Sequence, residues 1–435
     1  MLTRQGGRGI IAHLGTKVAR RYLIGGQQEF AFRRAQGCDL PNLTATDLYL
    51  HIPFCKSLCP YCPYNRIPYR EDLVAPYTSA MLEETDMYAR RLGRTKITSI
   101  YIGGGTPTTL IDELGLILDR VRAGFDVAGP ICIETSPLDI TPVNLRKLQA
   151  YGVNMVSVGV QSFDDRYLRL IGRNYGAEAV SPAIELAVAA GLHSVNLDLM
   201  FALPGQHLED LETDLAKGIA SGVNQLTVYP LFTFPYTAVG QFLRLRTVRM
   251  PSLPTRRVMY RRIHEFCEAN GFRRVSVWGF LRGEARRYSS VTRDLYLGLG
   301  AGAGSHVPGS YHLNTFSVPA YIERCREGRL PIALQMALTP AMSQFLWLYW
   351  RLYDTQISKE HFARVFSGTA GSRRARRLLQ LIQRLGLCEE TEEAFRLNER
   401  GAFWVHLMQN HFVLHHINTI WSAARSEPWP EVIRF

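Results

Sequence analysis

The 435-residue sequence predicts an α/β fold: a partial (β/α)6 TIM-like barrel of parallel strands, followed by a mainly helical C-terminal domain. Three observations predict it. Between residues 47 and 229, short β-prone apolar runs alternate with amphipathic stretches long enough for crossover helices, which implies βαβ units and a parallel sheet. Beyond about Pro331 the apolar spacing changes to a helical period. Residues able to do chemistry fall directly after the apolar runs, at the strand ends where parallel barrels carry their active sites.

The first 45 residues are rich in Gly and Arg and read as a basic extension, with helical character between Gly15 and Arg21. The β-prone runs are 48–52, 97–102, 131–134, 155–160, 195–199 and 226–229. The stretches between them with helical periodicity are 73–92, 108–121, 142–150, 177–190 and 208–220. Pro230, Pro235, Pro251 and Pro254 then interrupt the alternation, before an expected helix at 255–269 and a strand at 273–277. Helical patterns follow at 342–352, 359–366, 373–385 and 402–421. The expected organisation is an extension (1–45), a barrel (46–230), a barrel-completing segment near substrate (231–330) and the helical domain (331–435).

Hydrophobic residues make up 46% and charged residues 20%, which excludes a wholly disordered or fibrous chain. No apolar run approaches the roughly 18 residues a spanning helix needs. Arg4, Arg8, Lys17, Arg20 and Arg21 are not followed by an apolar segment with a cleavage site, so no secretory signal is expected. The net charge of +12 suits a small anionic substrate and leaves room for peripheral membrane contact. The basic clusters (244–249, 256–262, 373–377) are short and scattered, and no nucleic-acid partner is expected.

Of eight cysteines, Cys38, Cys132, Cys267, Cys325 and Cys388 stand alone, while Cys55, Cys59 and Cys62 fall within eight residues. A disulfide framework would need dispersed partners and a secreted context. A reducing, cytoplasmic location and a metal site fit better. The segment HIPFCKSLCPYCPYN has C-x3-C-x2-C spacing and follows the first strand. Three thiolates on one loop can hold three corners of a 4Fe–4S cluster and leave one iron open. A zinc site would recruit a fourth ligand, for which His51 is available. Three reduced, buried cysteines are the plain alternative.

Further polar features follow the other strands. Gly103, Gly104 and Gly105 with Thr106 end the second, where glycine lets a ligand approach backbone N–H and C=O groups. Glu134 ends the third and Gln161 the fourth. Asp198 lies within the apolar fifth, where a carboxylate is costly unless paired or liganded.

The cysteine motif, with Tyr61 before its third cysteine, resembles that of the radical S-adenosylmethionine (SAM) enzymes. Together, LYLHIPFC, IYIGGGTPT, VSVGVQSF, LIGRN and DLMFALPGQ resemble the oxygen-independent coproporphyrinogen III oxidase family, which includes haem chaperones and two-SAM methyltransferases. The resemblance covers residues 47 to 229 and continues more weakly through LYLGLGAGAGSH into the C-terminal region. It implies that Cys55, Cys59 and Cys62 ligate a 4Fe–4S cluster whose open iron chelates SAM. Tyr61 would pack on adenine, and Gly103–Gly105 with Thr106 would meet the methionyl amino group. Glu134, Gln161 and Asp198 would hold SAM polar groups, Arg173 its carboxylate, and Tyr49 a second SAM. An electron from a donor such as flavodoxin or ferredoxin would cleave SAM to methionine and a 5′-deoxyadenosyl radical.

The expected substrate is small and planar or tetrapyrrole-like. The chemistry would be two-SAM C-methylation or, alternatively, oxidative decarboxylation of coproporphyrinogen propionates; a haem chaperone without turnover is the third reading. No catalytic side chain is singled out. Two departures bear on substrate: Tyr64 stands where the oxidases carry a fourth cysteine, and Val275–Phe280 (VSVWGF) replaces their YEISNFA. In the C-terminal region, Phe403, Trp404, Phe412 and Trp421 read as core packing, with the wall of a planar-ligand site as the alternative. His411, His415 and His416 read as ordinary surface or core histidines, with haem ligation as the alternative.

Overall fold

The computed structural model describes residue 22 and residues 30–35, 37, 40–240, 249–285, 287 and 293–434. Six parallel strands form its centre: β1 (Ala45–Ile52), β2 (Lys96–Gly104), β3 (Ile131–Thr135), β4 (Met155–Gln161), β5 (Ser194–Phe201) and β6 (Gln225–Pro230). They lie side by side in sequence order. Each crossover carries a helix: α1 (Glu71–Leu92), α2 (Leu114–Gly124), α3 (Pro142–Ala150), the short α4 (Asp165–Leu170) with α5 (Val180–Ala189), and α6 (Leu208–Ala220). Their apolar faces pack against one buried face of the strands, as in Leu48, Leu50 and Ile52 of β1 and Ile97, Ile100 and Ile102 of β2. Each such side chain contributes about 1.5–3 kcal/mol through burial.

The sequence places α3 and α6 correctly at both ends, because their caps are local. Thr141 accepts from Asn144 N ahead of Pro142, and Asp210 reaches back to His207 N. Elsewhere tertiary structure overrides the pattern. The crossover expected at 108–121 opens with a 3-10 turn, Pro107–Leu110, and becomes α-helical only at Leu114.

The strand expected at 273–277 stops at Arg274: β7 (Phe272–Arg274) turns and pairs antiparallel with β8 (Gly279–Arg282). Ser276 Oγ accepts from Gly279 N at 2.9 Å and closes the turn between them. β8 also pairs with β6. After α7 (Leu253–Ala269) and these strands, β9 (Tyr296–Leu299) adds a seventh parallel strand beside β1. The antiparallel β10 (Gly304–Val307), β11 (Ser310–Asn314) and β12 (Ile332–Ala337) extend the sheet, and α8 (Val318–Arg326) packs on α1.

Helical structure therefore does not begin at Pro331. Ile332–Ala337 is a sheet strand, and helix begins at Pro340, where Thr339 caps Met342 N. Within the expected extension, Ala31–Arg34 is also a strand, paired with β12 and with Val432–Arg434. Neither segment, IALQMA or AFRR, alternates apolar and polar residues, so no strand period marks them.

The C-terminal helices are α9 (Pro340–Tyr353), α10 (Lys359–Phe366), α11 (Ala370–Arg384) and α12 (Glu399–Ser426). Trp347, Phe362, Phe366 and Leu379 form a separate apolar cluster there. Phe403 is core, as expected, and meets Tyr260 and Trp404. Trp421 instead joins Tyr64, Tyr236 and Phe316 beside the cysteine loop. His416 is buried. The helix expected at 15–21, Cys38, and the side chains of His411, Phe412 and His415 lie outside the described residues. No described helix is long and apolar enough to cross a membrane.

Candidate functional site

A cavity of about 290 Å3 opens at the C-terminal ends of the parallel strands. Its wall includes Cys55, Cys59, Tyr61, Cys62, Gly104, Gly105, Thr106, Glu134, Gln161, Arg173 and Asp198. Eleven of the thirteen residues singled out in the sequence thus share one cavity. Gly103 lies beneath it in β2, where a Cβ would stand 2.7 Å from the Tyr101 ring and 3.0 Å from Glu134 Oε2. Tyr49 lies off the wall too: its hydroxyl is 2.8 Å from His51 Nδ1 and its ring packs near Tyr101.

The three cysteines are free thiols. Burial pushes the Cys55 thiol up to about 11, and the Thr106 hydroxyl, 3.7 Å away, opposes that rise. Burial also raises Cys62, with Arg66 as the largest opposing influence. His51 cannot be a fourth ligand as placed, because its Nε2 is 2.7 Å from the Asn65 carbonyl while Nδ1 meets Tyr49. Burial lowers its pKa to about 4, so it is neutral. Among the described residues, no three His, Cys, Asp or Glu side chains converge on a single metal ion. A tetrahedral zinc site requires such convergence, whereas a cubane takes separate corners.

The opposite walls come from the register of the sheet. Glu134 lies beside Ser157, and Gly159 beside Asp198, which lies beside Thr227. Glu134 accepts from the Tyr101 hydroxyl and from Gly104 N at 3.3 Å. Burial raises its pKa to about 7 and that of Asp198 to about 6. Asp198 accepts from Asn196 Nδ2 at 2.8 Å and Ser157 Oγ at 3.1 Å. Gln161 closes β4 with φ +74, and its Oε1 accepts from Tyr229 at 2.6 Å. A left-handed φ on a buried glutamine costs on the order of 1–3 kcal/mol and fits a residue held for its site. Arg173 lies 5.9 Å from the Tyr61 ring centre and 5.6 Å from that of Tyr175, with a buried Nε that makes no hydrogen bond.

Sequence reasoning missed Ser157, Thr227, Tyr229, Phe232 and Tyr353 in the same wall. Ser157 and Thr227 could have been found, since they are polar residues at inward positions of apolar strands. Tyr353 could not, because it comes from the C-terminal region. Val275, Ser276, Trp278 and Gly279, from the segment that departs from the oxidase pattern, also line the cavity.

Fold and cavity together define an α/β protein with three free cysteines grouped at the mouth of its parallel strands. The Radical SAM superfamily profile matches residues 49–217. The chain is 30% identical over 276 residues to the haem chaperone HemW of Escherichia coli K12, covering 61% of this chain and 71% of that one. It is 28% identical over 361 residues to HemW of Bacillus subtilis, covering 81% and 95%. Coproporphyrinogen III oxidase (HemN) of E. coli has the same fold, with a TM-score of 0.74 over 88% of this chain and 94% of that one at 22% identity. The chain belongs to the radical SAM superfamily, among the HemN- and HemW-like proteins.

Its cofactors are a 4Fe–4S cluster and SAM. The residues present fit both. Thiolates are the right donors for iron. The backbone at Gly105 is so close to the cysteine loop that a Cβ would stand 2.6 Å from the Phe54 carbonyl and 3.0 Å from Cys55 Sγ. The unsatisfied Arg173 suits a carboxylate.

Proposed function

We propose that this chain is a radical SAM enzyme acting on a planar, tetrapyrrole-like anion. One observation carries the reading: three free thiols, an arginine with an unsatisfied nitrogen, and buried Glu134, Gln161 and Asp198 share one cavity with aromatic walls. Cys55, Cys59 and Cys62 would hold the cluster. Arg173 would hold the SAM carboxylate, while Glu134 and the backbone at Gly104 and Gly105 would meet its amino group. Asp198, set by Ser157 and Asn196, and Gln161, set by Tyr229, would accept from SAM hydroxyls. Tyr61 would cover the adenine. Bound together, the two cofactors supply reductive cleavage of a carbon–sulfur bond and a radical that abstracts hydrogen.

Tyr229 and Phe232 stack with ring planes 6° apart, and Trp278 and Tyr353 add further aromatic wall. Such surfaces suit a planar ligand. Hydrogen abstraction from a propionate side chain is the reaction this supports best; completing an oxidative decarboxylation would release carbon dioxide and pass the remaining electron to an external one-electron acceptor. Nothing in the geometry favours methyl transfer, because Tyr49 is engaged by His51. The HemW relatives favour a second reading, haem binding without turnover.

The test is anaerobic reconstitution with iron and sulfide, then incubation with SAM, a reductant, a one-electron acceptor and coproporphyrinogen III. The enzyme reading expects 5′-deoxyadenosine and loss of carbon dioxide, both abolished in Cys55→Ala, Cys59→Ala and Cys62→Ala. Intact coproporphyrinogen together with a stoichiometric Soret shift on haem addition would replace it with the chaperone reading.

A further inference from the structure

Arg66, four residues after Cys62, turns back over the cysteine loop. Its Nη1 donates to the Cys62 carbonyl at 3.0 Å and its Nη2 to the Cys59 carbonyl. Its Nε is buried without a hydrogen-bond partner, and the side chain forms part of the cavity wall. Among the described residues no carboxylate pairs with it, unlike Arg257 with Glu399 or Arg166 with Asp164. The guanidinium therefore stands half-buried on the backbone carbonyls of Cys59 and Cys62, a cation beside the loop that carries the three thiols. Arg425 of α12 braces the next part of the loop, donating to Pro63 O at 3.1 Å and Tyr64 O at 2.7 Å.

We propose that Arg66 is a positioning residue that sets the reduction potential of the cluster held by Cys55, Cys59 and Cys62. The inference rests on the cluster reading above. Reduction adds one electron, supplied by a low-potential donor, to a group already made anionic by three thiolates. A fixed cation at short range in a low-dielectric wall stabilises the more negative, reduced state and raises the potential. Two carbonyl bonds hold that cation in place, since a fork of N–H donors reaches both oxygens at once. Without it, reduction by the same donor becomes less favourable, and SAM cleavage slows for want of electrons, with the SAM site itself unchanged.

The experiment is a dithionite titration followed by electron paramagnetic resonance, on the full reconstituted chain after iron and sulfide assay. Arg66→Gln keeps one carbonyl bond and loses the charge. Its midpoint should fall so that the ratio of reduced to oxidised cluster at a fixed potential drops threefold to tenfold, tenfold being about 59 mV for one electron. Arg66→Lys keeps the charge and should stay near wild type. Asn65→Ala removes an uncharged brace from the same loop and should leave the potential in place. An unchanged potential in Arg66→Gln overturns the proposal. So does an equal fall in Arg66→Gln and Arg66→Lys, or in Arg66→Gln and Asn65→Ala, because loop geometry would then set the potential. If Arg66→Gln loses its cluster, Arg66→Met replaces it: a fall in its midpoint supports the charge and an unchanged value rejects it. A wild-type protein that takes up no cluster overturns the cofactor reading instead, which separates the two failures.

Discussion

His51 Nε2 lies 2.7 Å from the carbonyl oxygen of Asn65, a bond that ties the C-terminal end of β1 to the far end of the cysteine loop. The Asn65 side chain then donates to Ala301 O at 3.0 Å and Phe316 O at 2.9 Å. Tyr77 donates to His51 O and accepts from Ala301 N. The loop carrying Cys55, Cys59 and Cys62 is thus closed on itself and fastened to the glycine-rich segment after β9.

Asn65→Ala should therefore cost stability. It leaves two buried carbonyls without their donor, worth about 1–3 kcal/mol each. Guanidinium unfolding of the apoprotein should show a lower midpoint at unchanged slope. An unchanged midpoint would mean that water replaces the amide without penalty.

Gly105→Ala should block the approach of the Gly103–Gly105 segment to the cysteine loop. A Cβ there would lie 2.6 Å from Phe54 O, 2.9 Å from the Pro53 carbonyl carbon and 3.0 Å from Cys55 Sγ. Two of these neighbours are backbone and cannot rotate away. The expected outcome is less iron per chain after reconstitution and a loss of about 1–3 kcal/mol in stability, the usual cost of overpacking. Normal iron content would show that the loop shifts freely.

Asp198→Asn should weaken SAM binding without disturbing the cluster. The carboxylate is oriented by Ser157 and Asn196, and in the proposed complex accepts a hydroxyl hydrogen bond. Losing a hydrogen bond to a charged acceptor costs about 1.5–3 kcal/mol, roughly 10-fold to 150-fold in affinity. Equilibrium dialysis of SAM against reconstituted protein measures it, with the cluster absorbance as the control. Equal affinity would remove Asp198 from the SAM contacts.

The six strands and most of the crossover helices were legible because each is a local pattern repeated in order. The cysteine spacing and the polar residues after each strand were legible for the same reason: a parallel barrel gathers strand ends without further information. What was not legible depends on long-range pairing. β12 reads as the start of a helical region until β11 and Ala31–Arg34 supply its partners. Tyr353 and Trp278 reach the cavity from elements whose placement no local pattern fixes. Arg66 sits within the motif itself, yet its two carbonyl bonds appear only once the loop is folded.

Glu84 gives the last prediction. This fully buried carboxylate of α1 accepts from Gly300 N at 2.8 Å, Asn314 Nδ2 at 2.7 Å and Tyr321 at 2.6 Å. Burial nevertheless outweighs these donors and raises its pKa from 4.5 to about 7. A carboxyl whose pKa is higher folded than unfolded binds more protons in the folded state. Its contribution is fully present below pH 4.5 and is lost as the pH rises to 7. The shift corresponds to a loss on the order of 3 kcal/mol across that window. His51 works in the opposite sense: its pKa falls from 6.5 to about 4, so its contribution is present above pH 6.5 and is lost as the pH falls to 4. The two slopes partly cancel in the wild type, which hides both. Glu84→Gln removes one of them. Relative to wild type, the variant should gain stability steadily from pH 5 to pH 7, whatever its absolute stability. Denaturant midpoints at pH 5, 6 and 7 for both proteins test this, and parallel curves would place the Glu84 pKa near its ordinary value and leave the three donors as the stronger influence.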